Sequence, residues 1–223
     1  MTRRSYNQYC SVARALDLVG DRWTLLLIRE LMIGPRRYTD LIDGLPGIGT
    51  NHLADRLKRL LAAEVIERCE LPPPAASTVY ELTPRGRGLE PVIIGLAHWG
   101  LDQLRSPDAD LAWRPDWTVV ALRGRFDATA AHGVDEAYQF VIDGQPFWAR
   151  VRNGELHTGL DHVENPAVTV TARRTSFLAV AAGQVQLDEA VAAGEYHIDG
   201  DPEALARAAA IFPSQPAPLE KTS

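Results

Sequence analysis

A chain of 223 residues, 46% hydrophobic, can bury one large or two small cores, while its apolar runs are too short to cross a bilayer. The formal net charge of −6 argues against a chain that coats nucleic acid along its whole length. That charge is uneven: residues 1–105 hold 14 Lys/Arg against 12 Asp/Glu, a net of +2, and residues 106–223 hold 9 against 17, a net of −8. The opening MTRRSYNQYC has no apolar stretch behind its basic residues, so it does not read as a secretory signal. Cys10 and Cys69 lie too far apart for a metal spacing or a disulfide framework. A cytoplasmic protein without a metal or other cofactor is the expectation.

In chain order, Ser11–Val19 and Arg22–Ile33 read as helices, separated by Gly20-Asp21 and closed by Gly34-Pro35. Trp23, Leu26, Leu27 and Leu31 are the expected apolar floor. Tyr38, Leu41 and Ile42 then recur at helical spacing. Gly44, Pro46, Gly47 and Gly49 interrupt them, because proline removes a donor and glycine accepts dihedrals that other residues avoid. Thr50 is placed to cap a second helix, with Leu53, Leu57, Leu60 and Leu61 as its buried stripe. Its outer face carries Asn51, Asp55, Lys58 and Arg59, flanked by His52 and Arg56. These side chains can pair with base edges and phosphates, as can Arg36 and Arg37 just ahead. A ribbon follows, with strands near Ile66–Leu71 and Thr78–Leu82 around Pro72-Pro73-Pro74. Helix, glycine-rich turn, helix and ribbon make a winged helix-turn-helix. GIGTNH lacks both the third glycine and the preceding strand of a dinucleotide loop.

After the ribbon a helix resumes near Glu90 with Val92, Ile93, Leu96, Trp99 and Leu104, more apolar surface than a domain-end helix needs, so a dimer interface is expected there. Taken together, LDLVGDRWTLLLIREL after Cys10, GPRRYTDL, LPGIGTNHLADRLKRL and YELTPRGRGL resemble the HxlR family of bacterial winged-helix regulators, over residues 8–105. The resemblance implies a homodimer on a palindromic DNA operator, paired through the terminal helices of the domain. Many members carry proline after the N-terminal cysteine, where this chain has Ser11, and often a basic residue before the second wing strand, where it has Ser77-Thr78.

Residues 105–116, polar and marked by proline, read as a linker. Trp117–Phe126 fits either helix or strand, and the spacing of Trp113, Trp117, Val120 and Ala121 favours helix. The period then changes to two: Tyr138, Phe140 and Ile142 alternate with Ala137, Gln139 and Val141. Asp143-Gly144 and Asn153-Gly154 mark two hairpin turns. A strand AVTVTAR, short helices TSFLAVAAG and LDEAVAAG, a strand EYHIDG and a helix capped by Asp201 with Pro202 complete the order. Residues 213–223 are expected to be a disordered tail. Over 117–212 this half is similar to a sterol-carrier-protein type domain. That resemblance implies a lipophilic cavity between sheet and helices, with Phe140, Trp148, Phe177, Leu178 and Phe212 as candidate lining.

The sequence therefore describes an α+β chain: residues 1–105 a DNA-binding and dimerising winged helix-turn-helix, residues 117–212 an antiparallel sheet with packed helices that takes a ligand. No G-x-S-x-G elbow, P-loop or H-E-x-x-H occurs, and no catalytic residue is assigned. The expected function is a transcriptional regulator, a repressor on double-stranded DNA, controlled by a small lipophilic effector and not bound to membrane. One alternative is a redox regulator sensing through Cys10, four residues from Arg14. Another is a lipophile carrier whose DNA-binding half has degenerated.

Overall fold

The structure is a computed structural model that describes residues 5–74, 76–100 and 112–213. The chain divides into two compact units, Met1–Ile93 and Ile94–Ser223. The expected continuation of the Glu90 helix to Leu104, most of the linker over 105–116 and most of the tail lie outside the described residues.

The first unit opens with α1 (Ser11–Val19) and α2 (Thr24–Met32). Trp23 precedes α2 in a left-handed conformation (φ 78°), with the Arg22 guanidinium 5.0 Å from its ring centroid. The floor differs from expectation in one residue. Leu26 is 42% exposed, and Ile28, fully buried, takes its place beside Leu27 and Leu31. The apolar run LLLI is continuous, so its pattern alone could not show which residue faces out. α3 (Tyr38–Gly44) is capped by the Asp40 carboxylate, which accepts from the Arg37 amide at 2.9 Å. Its last residue must be glycine, because a Cβ at Gly44 would sit 2.5 Å from the carboxylate of Glu30, a buried side chain held by Arg29 at 2.6 Å.

α4 (Thr50–Ala62) buries Leu53, Leu57 and Leu60, and Leu61 is half-buried at the stripe's edge. The expected cap is corrected: Gly49 is the N-cap residue, in extended backbone, and Thr50 is already the first helical residue with no side-chain cap. The Tyr38 hydroxyl instead donates to the Thr50 carbonyl at 2.9 Å and ties α3 to α4. β1 (Ile66–Glu70) and β2 (Thr78–Leu82) form the antiparallel wing. Arg36 adds a bridge that the sequence did not reveal, exchanging backbone hydrogen bonds of 2.9 and 2.8 Å with Tyr80. Thr83 caps the short α5 (Pro84–Arg87) through the Gly86 amide, and α6 spans Glu90–Gly100.

In the second unit Pro115 and Asp116, expected in the linker, open α7 (Pro115–Arg125). β3 (Glu136–Ile142), β4 (Gln145–Arg152) and β5 (Glu155–Leu160) are joined by the two expected turns. Asp143-Gly144 and Asn153-Gly154 all have positive φ, the geometry that matches strand twist in a two-residue loop. β6 (Val168–Ala172), α8 (Arg174–Ala181), α9 (Leu187–Ala192), β7 (Tyr196–Gly200) and α10 (Pro202–Ile211) follow. Asp201 accepts from the Glu203 amide at 2.9 Å, the expected cap. The sheet order is β5-β4-β3-β6-β7. The α+β class stands as read, but the sheet is mixed: β6 pairs with β3 in parallel. The segment after β5 crosses to the far side of β3, where β6 runs in the same direction as β3. No helix among the described residues is long and apolar enough to cross a membrane.

Candidate nucleic-acid interface

The buried leucines of α4 turn the opposite face outward, and that face holds two kinds of polar residue. Asn51 and His52 in the first turn, and Lys58 further on, are exposed. Asp55, Arg56 and Arg59 are instead joined in a lattice with Asp21, which lies before α2. Arg56 Nη1 is 2.8 Å from Asp21 and 3.0 Å from Asp55. Arg59 reaches the same two carboxylates at 2.9 and 3.1 Å. The Arg56 side chain is only 13% exposed, against 52% for Arg59. Arg56 thus bridges α4 and the loop before α2. Nothing local in the chain marks Asp21 as its partner, since 35 positions separate them. Arg37 is exposed at the start of α3, Thr50 is exposed, and Arg36 is half-buried along the wing. A further cation, outside the expected set, is Arg68 on the wing, 60% exposed and bonded to Thr78 at 3.3 Å. Its charge within the expected first wing strand was the signal that could have found it.

Among the apolar candidates of the second unit, Phe140 stacks on its cross-strand neighbour Phe147 with centroids 5.1 Å apart. Phe177 of α8 packs edge-on to both, at 6.2 and 6.0 Å. Phe212 belongs to a different aromatic group, with Tyr138 at 6.2 Å and Phe126 at 6.3 Å. Leu178 is half-buried on α8. Trp148 stands apart. It pairs with Gln139, one residue out of phase with the Phe140–Phe147 pair, so it projects from the other face of the sheet. Two clefts, of about 340 and 410 Å³, are lined by none of these five residues.

Cys10 is exposed just ahead of α1, and Arg14, the expected perturbing charge, pairs with Asp17 at 3.6 Å. Cys69 on the wing donates to Glu81 at 3.0 Å, and that hydrogen bond, with desolvation and the nearby charges of Glu81 and Glu67, pushes its thiol up to about 11.

Residues 18–108 match the HxlR-like helix-turn-helix family, and residues 117–217 match the alkyl sulfatase C-terminal family. The HTH-type transcriptional regulator sll1512 of Synechocystis sp. is 36% identical over 101 residues, which cover 45% of this chain and 75% of that protein. The chain belongs to the HxlR-like family. The HTH-type transcriptional regulator YodB of Bacillus subtilis, 38% identical over 93 residues, covers 42% of this chain and 82% of its own length. This HxlR-type chain is accordingly a DNA-binding transcriptional regulator. Its second unit is compatible with the sterol-carrier-like fold read from the sequence. The sec-alkylsulfatase Pisa1 from Pseudomonas sp. is 26% identical with a TM-score of 0.42, and the match covers 45% of this chain but only 16% of the sulfatase.

Proposed function

We propose that this HxlR-type regulator acts in the cytoplasm as a homodimeric repressor on a palindromic operator, one α4 in each major-groove half-site. The exposed polar end of a helix clamped by three buried leucines carries the reading: Asn51 and His52 face outward where a recognition helix meets base edges. Lys58, Arg37 and Arg68 supply phosphate contacts. Val92, Leu96 and Trp99 lie along one face of α6 and are 48%, 45% and 78% exposed, and Val12 and Leu16 are bare on α1. A second copy covering these residues removes that apolar surface from water. Selection of bound duplexes from random DNA tests the proposal. Two inverted half-sites, centred about 10 base pairs apart or a multiple of that, are the expected result. Enrichment of a single unrepeated site would overturn the palindromic dimer.

The second unit takes a small lipophilic effector between α8 and the Phe140–Phe147 pair. Support comes from α8 itself, which has no buried residue although Phe177 meets that pair. An effector must prefer one DNA-binding state, since equal affinity shifts nothing. Thermal shift with a panel of lipophilic metabolites, then operator titration of each hit, tests it. Hits that stabilise the protein but leave operator affinity unchanged would reject an effector role. A second reading, control by oxidation, is favoured by the exposure of Cys10. It requires that diamide release DNA from wild type and not from Cys10→Ser.

A further inference from the structure

The lattice on α4 neutralises two guanidinium groups on the very surface that meets a polyanion. A single oxygen of Asp21 serves both arginines, Arg56 at 2.8 Å and Arg59 at 2.9 Å, and a single oxygen of Asp55 serves both again. Asp55 is on α4, four residues ahead of Arg59, where helical spacing alone brings the pair together. Asp21 is different. It comes from the loop before α2, its carboxylate is 44% exposed, and its partners are these two arginines. Neither burial nor a cap explains an acid at that place.

We propose that Asp21 is a specificity-determining positioning residue of DNA recognition, withholding Arg56 and Arg59 from the phosphates of arbitrary DNA. The proposal rests on the DNA-reading role given to α4 above. Affinity for any duplex grows with the number of phosphates that free cations neutralise, and each such contact adds to the salt dependence. A guanidinium shared between two carboxylates adds less, and the carboxylates themselves repel the backbone. On an operator, contacts from Asn51 and His52 hold α4 in the groove. Arg59, half exposed, can then exchange Asp21 for a DNA oxygen, while Arg56, nearly enclosed, stays as the strut. Specificity is a difference of affinities, and Asp21 enlarges it by weakening the non-specific side.

The test compares full-length wild type, Asp21→Asn and Asp21→Glu by fluorescence anisotropy, on the selected operator and on a scrambled duplex of equal length, across a salt series. Asp21→Asn should bind the scrambled duplex on the order of tenfold tighter at about 0.1 M salt, with a salt slope steeper by about one. Its operator-to-scrambled ratio should fall, and Asp21→Glu should restore it. A purely structural role predicts weaker binding to both duplexes with an unaltered slope, and that result overturns the proposal, as does an unchanged ratio. If Asp21→Asn does not fold, Asp55→Asn removes the other half of the lattice and must show the same change. Wild type failing to bind any selected operator would remove the α4 reading itself; operator binding with an unchanged ratio removes Asp21's role alone.

Discussion

The indole of Trp148 covers Gly159, its partner across the β4–β5 ladder, so closely that a Cβ on the glycine would sit 2.5 Å from the ring. Gly159→Ala should therefore destabilise the protein by about 1–3 kcal/mol, the usual cost of overpacking. Trp148→Ala in the same chain should relieve most of that penalty. A double-mutant cycle from urea unfolding measures it, and additive effects would mean that the ring is free to step aside.

At Gly86 the obstacle is backbone. A Cβ there would lie 2.0 Å from the Val65 carbonyl oxygen, at the junction of wing and α5. Gly86→Ala should cost at least as much as Gly159→Ala, about 1–3 kcal/mol or more, because no side chain can rotate out of the way. Comparison of the two unfolding midpoints tests the order.

Cys69 should be unreactive near neutral pH. With its thiol at about 11, the thiolate share at pH 8 is on the order of one in a thousand. Glu81→Ala removes both the hydrogen bond and the negative charge that disfavour thiolate, so alkylation by iodoacetamide at pH 8 should rise by about tenfold or more. The Cys10→Ser background isolates the signal. An unchanged rate would show that Glu81 does not control the thiol.

Asp201 should shape the acid limb of stability. Its carboxyl is held below the usual range chiefly by the Glu203 amide, with help from Arg207 and against desolvation. A depressed folded value means that this stabilisation is present above about pH 4, the ordinary aspartate value, and is lost as pH falls through the lower folded value. Melting temperature against pH should fall less steeply below pH 4 in Asp201→Ala than in wild type, from a lower starting point. Parallel curves would reject the linkage.

Leu96→Glu places a charge on the bare apolar stripe of α6. Sedimentation should shift from dimer to monomer, and operator affinity should fall by a factor of ten or more, since each half-site loses its linked partner. A dimeric Leu96→Glu protein would move the interface elsewhere.

The local elements were legible because their signals are local. Helical spacing of Leu53, Leu57 and Leu60, the Asp143-Gly144 and Asn153-Gly154 turns, and the Asp201-Pro202 start each act within a few residues. The winged helix-turn-helix and its family could be read from them. What only tertiary structure decided depends on residues far apart in the chain. Asp21 meeting Arg56 and Arg59 joined two residues of the expected DNA face to a loop 35 and 38 positions away. Arg36 joined the wing at Tyr80 through backbone groups that every residue carries, so no side-chain pattern announced it. Leu26 turned outward within an unbroken apolar run. Trp148 went to the far face of the sheet from Phe140, because faces follow cross-strand register, and one residue of phase reverses every side chain.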